Sequence, residues 1–179
     1  RGQPRRLHGL QLWVALPPAL EETEPSFQHV AADQLPSLGL PGGVQVRVLL
    51  GEAFGQRSPV RTASPTLYLD LQLPADGRWT LPALAPELAL YSPEQDLQVD
   101  GEVLAAQQMA VLPGGRPVEL QVGPAETRLV VVGGAPLERP VRMWWNYVAS
   151  DRGRIAAAAL RWQSGGFDDI PGDTDRVPQ

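Results

Sequence analysis

Short apolar runs that alternate with polar residues set the character of this chain. Leu10-Gln11-Leu12-Trp13-Val14 alternates cleanly, Val44-Gln45-Val46-Arg47-Val48-Leu49-Leu50 more strongly, and Thr66-Leu67-Tyr68-Leu69-Asp70-Leu71-Gln72-Leu73 repeats at period two. Residues 97–99, 109–112, 118–122 and 128–132 add four further candidates. Period-two alternation places one set of side chains on a core and the other in solvent, so each run predicts a half-buried strand. Turn signals separate them: Ala75-Asp76-Gly77, Asp100-Gly101 and Pro113-Gly114-Gly115. No helical crossover fits between consecutive strands, which excludes a βαβ architecture and predicts an all-β sandwich or barrel.

One segment changes period. Ser150 or Asp151 can cap a helix in which Ile155, Ala158, Ala159 and Trp162 share a face, and Gly165-Gly166 supplies a left-handed stop. A single short C-terminal helix is expected there. The tail from Asp168 to Gln179 is rich in Pro, Gly and Asp, and its end is expected to be poorly ordered.

Composition narrows the function classes. With 179 residues, 43% of them hydrophobic, the chain can build a real core. No apolar run approaches the roughly 20 residues of a membrane-spanning helix. The net charge of −5 gives no pull toward nucleic acid, and all fifteen basic residues are scattered arginines, a pattern of high-GC bacterial coding. Cysteine is absent, which removes disulfides and thiolate chemistry. A cytoplasmic bacterial protein is the expectation. The arginine at position 1 points to a fragment or a processed product.

Candidate chemistry is sparse. His8 and His29 are the whole imidazole inventory, and neither has a second ligand at metal-binding spacing. Ser92 sits between Tyr91 and Pro93 with no local base and no nucleophile elbow. The acidic pairs Glu21-Glu22 and Asp168-Asp169 lie in Pro/Gly-rich surroundings and read as solvated charge. The Gly-Gly pairs at 42–43, 114–115 and 133–134 lack the lysine and the helix of a phosphate loop. Trp144-Trp145-Asn146-Tyr147 is the most unusual local feature. It reads either as a strand with Trp145 and Tyr147 on one face and Trp144 on the other, or as a ligand or partner surface.

Taken in order, the segments resemble the pirin family. Leu7-His8-Gly9-Leu10-Gln11-Leu12-Trp13-Val14 with Leu16-Pro17 is similar to the strand at the junction of that family's two cupin halves. Pro25-Ser26-Phe27-Gln28 follows, then Val46 to Gly55 with Ser58-Pro59-Val60. Pro65-Thr66-Leu67-Tyr68-Leu69-Asp70, Gly133-Gly134-Ala135-Pro136-Leu137, Trp144 to Val148, Gly165-Gly166-Phe167 and Ile170-Pro171-Gly172-Asp173 continue the collinear match. Leu90-Tyr91-Ser92-Pro93-Glu94-Gln95 departs from it, because Pro93 stands at a strand position and removes a ladder donor.

The resemblance implies a cupin-type double-stranded β-helix, a jelly-roll barrel over residues 31–140. An inter-cupin strand and linker precede it in 1–30, and the aromatic strand, short helix and acidic tail follow in 141–179. It implies that the family's metal, iron or another divalent ion, belongs to an N-terminal cupin that this chain does not contain. Where a metal cupin offers histidines, Gly77 to Ala85 and Ala106 to Val111 carry none. The implied function is the metal-free half of a quercetin 2,3-dioxygenase-like protein, structural and inactive alone. The alternative is a non-catalytic regulatory or protein-interaction module. The expected partners are the protein's own N-terminal cupin, a second copy through the exposed edge of the Leu10–Val14 strand, or a regulatory protein. No nucleic acid and no membrane are expected.

Overall fold

The computed structural model describes residues 9–168 and 171–172. His8, Asp169, Ile170 and the tail from Asp173 lie outside the described residues, so the readings placed on them have no structural counterpart here. The described chain falls into two compact units, one spanning Glu24–Leu137 and the other joining the segment up to Thr23 with the segment from Glu138 onward.

The first unit contains the six strands that the alternation predicts within it, together with six that it does not. In chain order they are β1 (Ser37–Gly39), β2 (Gln45–Leu50), β3 (Glu52–Ala53), β4 (Gln56–Arg57), β5 (Thr66–Leu73), β6 (Arg78–Leu81) and β7 (Glu87–Tyr91). Then follow β8 (Leu97–Val99), β9 (Glu102–Leu104), β10 (Met109–Leu112), β11 (Val118–Val122) and β12 (Thr127–Gly134). The predicted six are β2, β5, β8, β10, β11 and β12. A six-stranded sheet has the order β1-β2-β5-β12-β7-β10, and a four-stranded sheet the order β6-β11-β8-β9. Every pairing is antiparallel. From β5 to β12 the chain switches sheet at each connection except the β8–β9 hairpin, which is the winding of a jelly roll. The two sheets do not close on each other through strand pairing, so the barrel is a cupin-type sandwich.

Alternation converts directly into a core. Leu67, Leu69, Leu71 and Leu73 of β5 are buried, as are Val46 and Val48 of β2, and Val118, Leu120 and Val122 of β11. They join Leu81, Leu90, Leu97 and Leu129 in one hydrophobic cluster. The longest ladder, β5 with β12, runs in unbroken register from Thr127 opposite Leu73 to Gly134 opposite Thr66.

Turn chemistry fixes the register of other ladders. Asp100-Gly101 closes the β8–β9 hairpin with both residues at positive φ, 52° and 84°, the type I′ geometry that Asp-Gly favours. Gly51 follows an irregularity in the β2–β5 ladder at a φ of 78°, and a Cβ there would lie 2.2 Å from the Thr66 carbonyl oxygen. Only glycine fits. Pro93 falls beyond the last ladder residue of β7, so it costs no ladder hydrogen bond.

The second unit contains a hairpin of β13 (Arg142–Trp144) and β14 (Tyr147–Ala149), followed by helix α1 (Arg152–Gln163). The helix is the expected one. Asp151 caps it, its carboxylate accepting from the backbone N–H of Gly153 at 2.5 Å and of Arg154 at 3.2 Å. At the other end the Gly166 N–H donates to the Arg161 carbonyl and the Gly165 N–H to that of Trp162, a Schellman closure. Ile155, Ala158, Ala159 and Trp162 are its half-buried positions, the face that the spacing predicts.

Two expectations fail in this unit. Leu10–Val14 forms no strand: residues 9–17 have no ladder partner among the described residues, and alternation without a neighbouring strand has no hydrogen bonds to hold it. Trp144 to Tyr147 is not one continuous strand either. The chain reverses at Trp145-Asn146, with Trp145 at a φ of 52° and Trp144 paired to Tyr147. No helix among the described residues is long and apolar enough to cross a membrane.

Candidate functional site: the aromatic cluster of the terminal unit

The hairpin turn determines how the aromatic residues meet. Because Trp144 and Tyr147 are cross-strand partners, their rings stack with centroids 6.3 Å apart and 25° between planes. Trp145, turned by its left-handed backbone, meets Tyr147 edge-on at 5.5 Å and Trp162 of α1 at 5.2 Å. Tyr147 also stacks on Phe167 at 6.3 Å, and Trp162 lies 6.1 Å from Phe167. Five rings from the hairpin, the helix and the segment beyond it therefore form one cluster. Arg161 closes its rim, with the guanidinium 4.4 Å above the Phe167 ring and Nε donating to the Gly166 carbonyl at 2.7 Å.

Of the predicted surface residues, Trp144, Trp145 and Tyr147 come together, while Asn146 occupies the exposed turn. Trp162 and Phe167 were not singled out as part of this surface. The available signal was that Trp162 lies on the inward helix face and Phe167 directly follows the glycine stop.

An acidic clasp ties the N-terminal segment to the helix. The Glu21 carboxylate, whose side chain is 7% exposed, accepts from the Ser150 backbone N–H at 2.7 Å and from Arg154 at 3.2 Å. Arg154 also reaches Glu22 at 3.2 Å. Glu21-Glu22, read from sequence as solvated charge, is in part a structural anchor. The correction has a plain cause: helix capping brings Arg154 and the Ser150 N–H to a place where a carboxylate satisfies both.

Two open apolar grooves flank the cluster. One, of about 480 Å³, is lined by Arg142, Met143, Trp144, Arg152, Ile155, Ala156 and Ala159. The other, of about 460 Å³, is lined by Leu12, Trp13, Val14, Ala15, Val141, Arg142, Met143 and Val148. Exposed large apolar side chains make up most of the second, Leu12, Trp13, Val14, Met143 and Val148, while the first has Met143 and Trp144. Among the described residues, Ala149 is the one buried hydrophobic of this unit.

The barrel offers a different environment. On the outer face of its larger sheet a polar groove of about 320 Å³ is lined by Ser37, Gln45, Arg47, Asp70, Gln72 and Arg128, among others. Half-burial pushes the Tyr68 phenol up, and neighbouring Asp70 adds to the effect while Arg128 opposes it.

The barrel interior is filled with leucine and valine, and among the described residues no three His, Asp or Glu side chains converge. His29 is exposed. Ser92 is fully buried, its hydroxyl donating to the Gln95 carbonyl, and it serves the turn after β7. These residues do not fit a metal ion.

Comparison with known proteins agrees with this architecture. Residues 68–168 match the profile of the Pirin C-terminal cupin domain. A pirin-like protein of Caulobacter vibrioides is 38% identical over 161 residues, which cover 89% of this chain and 55% of that protein. A Pseudomonas aeruginosa protein given the provisional name quercetin 2,3-dioxygenase is 36% identical over 90% of this chain and 50% of its own length. The crystal structure of a quercetin 2,3-dioxygenase from Acinetobacter baumannii superposes with a TM-score of 0.82 at 30% identity, covering 93% of this chain and 56% of that one. The chain spans about half the length of the curated relatives it matches. Jelly-roll winding, a donor-free interior and these matches together place the chain in the pirin family, as its C-terminal cupin domain.

Proposed function

We propose that this chain is the structural, metal-free half of a quercetin 2,3-dioxygenase-like protein, inactive by itself, and that its terminal unit docks onto an N-terminal cupin of the same polypeptide. The observation that carries this is the poverty of the terminal unit. Among its described residues it holds one buried hydrophobic residue, yet exposes Leu12, Trp13, Val14, Leu16, Met143, Trp144, Val148 and Leu160. So small a buried core does not stabilise a free-standing unit, and an apolar face of this extent marks an interaction surface. The relatives that this chain half covers carry a further stretch of comparable length. Iron or another divalent ion would belong to that part of the protein, since the barrel described here presents no donor set.

Quercetin consumption and bound metal, measured on the same purified sample of this chain after dialysis against chelator, test the reading. Neither turnover nor stoichiometric metal is expected. Turnover with retained iron would overturn it. The other reading, a regulatory protein-interaction module, draws on the same exposed apolar set with a foreign partner in place of the cupin. A preceding cupin that keeps a metal-ligand set favours the enzyme, and one that lacks it favours the regulator.

A further inference from the structure

The barrel unit exposes four large hydrophobic residues among those described: Phe27, Val103, Met109 and Val111. Three of them lie on β9 and β10, each the terminal strand of its sheet. The opposite edges are blunted. The exposed positions of β1 are Ser37 and Gly39, neither of them large and apolar, and β6 presents Arg78 and Thr80 to solvent. Strand β10 reads Met-Ala-Val-Leu, with neither charge nor proline, and its outward side chains are 56% (Met109) and 81% (Val111) exposed. An apolar edge without such protection is a template for strand addition.

The backbone supplies the register. The Ser92 N–H donates to the Gln108 carbonyl at 3.3 Å, and the Gln107 N–H donates to the Ser92 carbonyl at 2.6 Å, with Gln107 at a φ of 63°. This bulge makes Ser92–Gln108 a hydrogen-bonded pair. Pairs alternate along an antiparallel ladder, so Ala110 and Leu112 turn their backbone groups toward β7. Met109 and Val111 turn theirs outward, into the free edge.

We propose that β10 is the strand-addition edge for a second copy of this chain, pairing antiparallel about a two-fold axis at Ala110. In that register Met109 of each copy lies opposite Val111 of the other. All the outward N–H and C=O groups of Met109 and Val111 are then used, in two hydrogen-bonded pairs. Side chains keep to matching faces, as a one-residue slip would not allow. The flanking residues Gln107, Gln108, Pro113 and Gly114 carry no charge, so a chain of net charge −5 meets no like charge at the axis. Such an interface is isologous and closes on itself. It is independent of the docking face proposed for the terminal unit.

Because the chain has no cysteine, single cysteines report the register cleanly. Under mild oxidation Ala110→Cys should yield a covalent dimer, because this residue alone meets itself across the axis, whereas Val111→Cys should not. Sedimentation equilibrium should show a concentration-dependent dimer of the unmodified chain, weakened at least roughly tenfold by Val111→Lys and unaffected by Val14→Lys. Met109→Lys serves if Val111→Lys fails to fold. A chain that stays monomeric up to about millimolar concentration overturns the proposal. So does association abolished by Val14→Lys and left intact by the β10 variants, which would assign it to the terminal unit.

Discussion

Arg128 on β12 grips Asp70 on β5 with two parallel hydrogen bonds, Nε to Oδ1 at 2.7 Å and a terminal nitrogen to Oδ2 at 3.0 Å. The two residues sit diagonally across the longest ladder of the barrel, since Asp70 lies opposite Val130. Bidentate geometry and partial shielding from water set this pair apart from an ordinary surface bridge. Arg128→Ala is expected to cost about 1–2 kcal/mol in urea unfolding, after allowance for solvent screening. Removing both partners with Asp70→Leu and Arg128→Leu should recover part of the loss.

The same pair bears on Tyr68. Its raised phenol pKa means that the neutral form is favoured in the fold. Stability should therefore fall as pH climbs from the ordinary phenol value, about 10, through the raised value. Arg128→Ala removes the one contribution that lowers this pKa, so spectrophotometric titration should place the phenol higher still.

Asp100 governs the acid side. Its carboxylate accepts from the Glu119 backbone N–H at 2.8 Å and pairs with Arg116 at 2.7 Å, and these contacts hold its pKa below the ordinary carboxylate value. The associated stability is present above the unfolded value of about 4 and is lost as pH falls through the depressed one. Asp100→Asn should flatten the pH dependence of the melting temperature in that acid window and leave it unchanged near neutrality.

Core truncation sets the scale for the barrel. Leu90 on β7 is fully buried within the cluster shared by both sheets. Leu90→Ala is expected to cost about 2–5 kcal/mol by chemical denaturation.

The terminal unit should respond locally. Asp151→Ala removes the cap of α1, an effect of about 1 kcal/mol, and Trp162→Ala removes the helix's part in the aromatic cluster. Both should speed hydrogen exchange of the α1 amides while exchange in β5 and β12 stays as it was. Equal acceleration in the barrel strands would show that the two units unfold together.

The barrel was legible in the sequence because its strands state their burial at period two. Leu67, Leu69, Leu71 and Leu73 alternate without interruption, and Asp100-Gly101 encodes its own turn. Helix α1 was legible for the same reason at period 3.6. The aromatic hairpin was not. Trp145 takes a left-handed backbone although nothing about tryptophan favours it, and its ring contacts with Tyr147 and Trp162 compensate. Leu10–Val14 carries the pattern of a strand, but a strand also needs a neighbour, and a pattern cannot supply one. The Glu21 clasp joins positions more than a hundred residues apart, beyond the reach of any local spacing.

That clasp also bears on synthesis. Glu21 leaves the ribosome before its partners Ser150 and Arg154, which follow 129 and 133 residues later. At the usual elongation rate of about 5–20 residues per second, the delay is on the order of ten seconds. The barrel strands emerge within that interval and can wind around their own core. The order of translation thus favours a finished jelly roll before the clasp closes.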